Sequence, residues 1–158
     1  MKMKRMLILM VMLVTLCLPS VIHAESNEAA QVLIGQYQDM RLNCEAGINY
    51  YAFCDLYRSL YVATGKQQNN MDKVTYDKFM NILSYYEDAA DIWDESGDSV
   101  EDRDFKTLNN KYPDVKSCLF PWSCREYNKR AVVRHIMGIA RDKINELEKS
   151  LKTPIVQQ

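Results

Sequence analysis

Glycine and proline are scarce in this chain, five and four among 158 residues, and no segment alternates apolar with polar residues for long. A sandwich or barrel of short strands is excluded, because it needs turn residues about every eight to twelve positions. No Cys-x-x-Cys pair occurs, and the only histidines are His23 and His135, so the ligand pattern of a zinc site is missing. No apolar run reaches the roughly 20 residues that a membrane-spanning helix needs.

What the chain does have begins at its N-terminus. Lys2, Lys4 and Arg5 precede a nearly unbroken apolar run from Met6 to Leu18, which ends at Pro19 and leads to His23-Ala24. That order is a basic region, an apolar region and a small-residue cleavage site. The run is short for a membrane span and has no basic stop-transfer cluster behind it. Leu16 before Cys17 is too large for lipoprotein processing. Residues 1–24 are therefore expected to be a signal peptide, with the exported product starting at Glu25, no membrane span in its mature form, and a periplasmic or secreted location. Removing three of the 20 basic residues and none of the 21 acidic ones leaves 17 against 21, a net charge of −4. A mildly acidic protein is a poor partner for nucleic acid or an anionic membrane surface.

Cleavage also removes Cys17 and leaves Cys44, Cys54, Cys118 and Cys124, an even set in an oxidising compartment. Two disulfides are the expectation. The gaps between successive cysteines are nine, 63 and five residues. Sequential pairing, Cys44 with Cys54 and Cys118 with Cys124, closes two short loops and is slightly preferred. Crossed pairings, which would staple the second helix to the last, stay open.

Apolar residues recur at threes and fours, which predicts an all-α, single-domain bundle of four to five helices over residues 25–153 and a flexible tail over 154–158. The first helix is expected from a cap at Ser26 or Asn27 to about Asn43, with Gly47 breaking the pattern. The second runs from about Ile48 to Thr64, ends before Gly65, and carries Tyr50, Phe53, Cys54, Tyr57, Leu60 and Tyr61 on one face. The third spans about Asp72 to Ser96, with Tyr76, Phe79, Met80, Leu83, Tyr86, Ala90 and Trp93 at core spacing and Gly97 as its stop. A short helix opens at Ser99 and Asp102 and closes at Asn109-Asn110. Ser123 and Glu126 then read as a capping box for a last helix bearing Val133, Ile136, Ala140, Ile144, Leu147 and Leu151.

Candidates for chemistry are few, and no catalytic residue, cofactor or metal is assigned. His135 has no assignable nucleophile beside it and reads as structural. The Cys-Cys-x-x-His-Asp helix of secreted A2-type phospholipases and the glutamate-serine motif of lytic transglycosylases are both missing. Nine acids fall between Glu87 and Asp104 against the single Arg103, but no register satisfies an EF-hand loop; starting at Asp94, Ser99 stands in the glycine place. The bland account of these acids is a solvated helix end, and the alternative is a docking surface. From Cys124 to Lys152 eight basic residues face four acidic ones, so opposition between the two segments also offers a way to align them. All ten tyrosines follow the signal, including the adjacent pairs Tyr50-Tyr51 and Tyr85-Tyr86. Neighbours on a helix point about 100° apart, so one of each pair should leave the core. Candidate partner-binding residues are thus Tyr51, Tyr85, Asp94, Glu95, Asp98 and Trp122, the last in the Cys118 to Cys124 loop.

Leu42-Asn43-Cys44, followed by Ala52-Phe53-Cys54, Tyr57 and Gly65, resembles the N-terminal part of small periplasmic helical immunity proteins that neutralise cell-wall-degrading effectors. The resemblance covers about 25 residues and departs at the C-terminal end, where those proteins carry a further cysteine and residues 125–158 here have none. It implies an inhibitor of a toxin enzyme. The composition by itself points instead to a non-enzymatic, bacterial periplasmic interaction protein, an accessory or chaperone-like component of an envelope secretion, pilus or conjugation assembly, with a protein partner.

Overall fold

The computed structural model describes residues 28–94, 99–100, 107–108, 110–112, 114–115 and 127–152. The signal segment, the tail over 154–158, Cys118, Cys124 and the candidates Glu95, Asp98 and Trp122 lie outside these residues.

Helix α1 covers 28–46 and buries Ala30, Leu33, Ile34, Tyr37 and Met40, one stripe at three-to-four spacing. It ends at Gly47, whose φ is +88°. The Gly47 N–H donates to the Cys44 carbonyl and the Ile48 N–H to the Asn43 carbonyl, both at 3.2 Å, which is the Schellman closure that a left-handed glycine allows. The helix runs past the expected end at Asn43 because this backbone reversal, rather than the last apolar residue, terminates it.

Helix α2, Tyr50–Lys66, is opened by Asn49, whose side chain accepts from the Ala52 N–H at 3.0 Å. It passes through Gly65 instead of stopping before it; the Gln67 N–H, donating to the Thr64 carbonyl at 3.0 Å, closes the last turn. Helix α3, Lys73–Asp94, is capped by Asp72, which accepts from the Thr75 N–H at 2.9 Å. Its expected end at Ser96 and stop at Gly97 lie outside the described residues. Phe79, Leu83 and Tyr86 are buried as the periodicity predicts, joined by Ile82, Ala89 and Ile92, while Tyr76, Met80, Ala90 and Trp93 are half-buried at the margin. The stripe is broad because α3 packs against neighbours on two sides.

Ser99–Val100 (β1) and Tyr127–Asn128 (β2) form a two-residue antiparallel pair, so Ser99 does not open a helix. Residues 107–108 and 110–111 are helical instead; Leu108 is buried there, and Tyr112 and Val115 are buried after it. The capping box at Ser123 and Glu126 does not open the last helix either. Helix α4 is Lys129–Lys152, and its cap is Asn128, which accepts from the Ala131 N–H at 3.0 Å. Pairing of Asn128 with Ser99 holds the chain extended up to that residue and delays the helix. Val132, Val133, Ile136, Ala140, Ile144 and Leu147 of α4 are buried.

Contacts between helices set their directions. Tyr37 meets Phe79 with ring centroids 4.9 Å apart, and Phe53 meets Tyr86 and Trp93. Gln31 of α1 donates to the Leu151 carbonyl, and Gln38 to Glu148 Oε2 at 2.7 Å. Successive helices therefore run antiparallel, up-down-up-down, with α4 returning along both α1 and α3. One polar cluster is sealed inside. Thr64 donates to the Leu60 carbonyl at 2.8 Å, and the Tyr37 hydroxyl lies 2.9 Å from Thr64 Oγ1 and 3.1 Å from the Phe79 carbonyl. With Thr64's proton committed to Leu60, the single Tyr37 proton is shared between the Phe79 carbonyl and Thr64 Oγ1 as a three-centre bond. The arrangement joins α1, α2 and α3 at one point.

Candidate functional site

Alternation of helix direction gathers the C-terminal ends of α1 and α3 and the N-terminal ends of α2 and α4 at one end of the bundle. A half-open groove of about 1000 Å³ lies there. One wall is the end of α1 and its turn into α2, with Arg41, Cys44, Tyr50 and Tyr51; Tyr86, Trp93 and Asp94 come from α3, and α4 supplies the opposite wall.

The aromatic side is assembled by ring contacts. Tyr50 stands edge-on to Trp93 with centroids 5.9 Å apart and to Tyr51 at 5.7 Å. Tyr51 itself is 80% exposed. Interactions with Cys54 first, then burial and Asp94, push the Tyr50 phenol above its ordinary range. Burial, with Glu45 adding to it, pushes the Cys44 thiol up to about 12, so little thiolate forms near neutral pH. Cys44 and Cys54 are both half-buried with free thiols in this structure.

The α4 side is cationic. Lys129, Arg130, Arg134 and Arg141 line the groove together with Val133 and Met137, and Arg41 adds a fifth cation from α1; among the described residues Glu45 and Asp94 are the acids that line it. Positions 130, 134 and 141 fall on one helix face. The first turn of α4 contains no acid, and among the described residues Arg130 and Arg134 form no ion pair. Arg141 holds Asp142 at 3.0 Å. Arg41 reaches Glu45 at only 3.4 Å, and its Nε is buried without a hydrogen-bond partner among the described residues.

Of the residues singled out from sequence, Tyr51 and Asp94 come together in this groove, and Cys44 lies beside them. Tyr85 is elsewhere, half-buried against Tyr112 with centroids 6.1 Å apart; residues 111–112 are held to α3 by hydrogen bonding of the Tyr112 hydroxyl to Asp88 and by the Lys111 to Asp88 ion pair at 2.5 Å. His135 is half-buried on α4 and is not among the residues lining the groove. The cluster of Arg41 with Trp93 and the α4 cations escaped the sequence reading. The four-residue step from Arg130 to Arg134, continued at Arg141, was its one legible sign. No helix of the described residues is long and apolar enough to cross a membrane.

Comparison of the chain with protein-family models, with curated proteins and with solved structures yields no match, so the likeness of residues 42–65 to immunity proteins stands on those residues alone.

Proposed function

We propose that the chain is an exported, non-enzymatic interaction protein that serves as an accessory or chaperone-like part of an envelope secretion, pilus or conjugation assembly. The observation that carries the reading is the groove: the exposed Tyr51, with the half-buried Tyr50 and Trp93 beside it, faces Arg130, Arg134 and Arg141, and Tyr, Trp and Arg are the side chains that anchor protein interfaces. The raised thiol of Cys44 supports a structural rather than nucleophilic role for that residue. In the oxidising compartment Cys44, Cys54, Cys118 and Cys124 form two disulfides, with sequential pairing preferred.

A second reading, an inhibitor or immunity protein that neutralises a toxin or cell-wall-degrading enzyme, is favoured by one observation. The segment that resembles immunity proteins contributes Cys44, Tyr50 and Tyr51 to the same groove.

Affinity purification of the matured protein from the envelope fraction, paired with deletion of its gene, separates the two. Membrane-anchored assembly components should co-purify, and assembly should fail in the deletion strain. Recovery of a single soluble enzyme, with cells sensitised to it, selects the inhibitor instead. A protein that comes down alone under mild conditions, with no deletion phenotype, sinks both.

A further inference from the structure

We infer that the outer face of α2 pairs with the same face of a second copy of this chain, the two helices antiparallel about a two-fold axis between Leu56 and Tyr57. The inference stands apart from the interaction reading, since it needs no other protein.

The face itself is the first argument. α2 turns Phe53, Leu60 and Thr64 into the core, with Leu56 and Tyr57 packed at its margin. On the opposite side Tyr51, Asp55, Arg58 and Val62 follow at steps of four, three and four, which at 100° per residue keeps them within about 60° of one another. That is the spacing of a helix-pairing seam. All four side chains are open, Tyr51 at 80% and Val62 at 54% exposure, Arg58 and Asp55 at 75% and 78%. The tyrosine and the valine are apolar surface that a pairing helix would bury.

Self-complementarity selects the occupant. An antiparallel copy about this axis sets Tyr51 of each chain against Val62 of the other and Asp55 of each against Arg58 of the other. One geometry thus makes two apolar contacts and two ion pairs. A parallel copy would set each residue against itself, carboxylate on carboxylate and guanidinium on guanidinium, and is disfavoured. Within one chain Arg58 reaches Asp55 at 3.5 Å, a solvent-exposed pair that adds little and can turn toward the second copy without leaving a charge unpaired. Pairing adds fork-shaped, bidentate geometry to a charge that is balanced in both states. At the end of the seam Tyr50 holds the Tyr51 ring edge-on with centroids 5.7 Å apart, which limits the freedom lost on docking.

Size sets the strength. The 17 residues of α2 make a helix about 25 Å long, and one such face against another lies at the low end of specific interfaces, about 1,000 Å² in all. A reversible dimer with a Kd of about 10–100 µM is expected.

Sedimentation velocity of the full chain, purified after export, tests this at concentrations spanning that range. The average mass should rise from monomer to dimer. Asp55→Arg and Arg58→Asp, each made singly, should weaken dimerisation about tenfold or more, because symmetry repeats each like-charge contact. An equimolar mixture of the two single variants should dimerise again, since one brings two cations to the centre of the seam and the other two acids. Tyr51→Ala combined with Val62→Ala should weaken the wild-type dimer about tenfold without touching its charge. Circular dichroism checks that each variant is folded. A chain that stays monomeric throughout, a dimer unmoved by either charge reversal, or a mixture of folded variants that stays monomeric overturns the inference. A dimer that survives denaturant until it is reduced is an intermolecular disulfide and overturns it too.

Discussion

Thr64 is the buried polar residue of the described core, at 0% exposure, and its hydroxyl is the point where three helices meet. Substituting valine keeps the shape and removes the bond to Tyr37, whose hydroxyl is sealed from water. Burial, only partly offset by Thr64, pushes the Tyr37 phenol above its ordinary range, so the group stays neutral. Thr64→Val should lower stability by about 1–2 kcal/mol in denaturant titration. Thr64→Val and Tyr37→Phe should be non-additive in a double-mutant cycle, because they delete one shared bond. Asp72 makes a different kind of contribution. Partial burial raises its carboxyl, but backbone hydrogen bonds at the start of α3 outweigh burial and hold it below the usual range. A depressed carboxylate stabilises the fold above its unfolded value, and that contribution fades as pH falls through the folded one. Asp72→Ala should therefore cost about 1 kcal/mol at neutral pH. Thermal melts of wild type and variant should converge as pH drops below about 4.

At the scale of elements, the helices are stopped by backbone and capping geometry more than by apolar pattern. Gly47 has φ +88°, a conformation that strains any residue with a Cβ, so Gly47→Ala should destabilise by about 1 kcal/mol or more. Gly35 and Gly138 lie inside α1 and α4, where an added Cβ would meet nothing within 4 Å. Alanine at either place should stabilise by up to about 1 kcal/mol, read as a rise in Tm. Gly138 also lines the groove, so its alanine variant tests whether stability and binding separate. α4 is held at its start by Asn128 and along its length by α3, and its surface pairs Lys143–Glu146 and Lys152–Glu148 are exposed to solvent and add little.

For the whole molecule, up-down-up-down order is what makes a groove from residues far apart in the chain. Arg41, Trp93 and Arg134 become neighbours only because α1 and α3 end where α4 begins. Export and disulfide formation belong to this scale as well. Protein recovered from the envelope should begin at Glu25, and its intact mass should not change on alkylation without reductant. Labelling of all four cysteines in that state would exclude both proposed disulfides, and reduction should lower Tm if the bridges restrict the unfolded chain.

Helical class followed from the sequence alone, because apolar spacing and sparse glycine and proline are local properties that each segment carries by itself. So did most of the α4 stripe, where Val133, Ile136, Ala140, Ile144 and Leu147 are buried as their spacing predicts. Tertiary structure decided the rest. Pairing of Ser99–Val100 with Tyr127–Asn128 moved the start of α4 from the Ser123 box to Asn128, since a cap can act only where the preceding chain lets the helix begin. Packing placed Tyr85 against Tyr112 and left Tyr51 open, although both belong to adjacent tyrosine pairs that look alike in sequence. The meeting of five cations with an aromatic wall depended on helix direction and register, and no single segment encodes either.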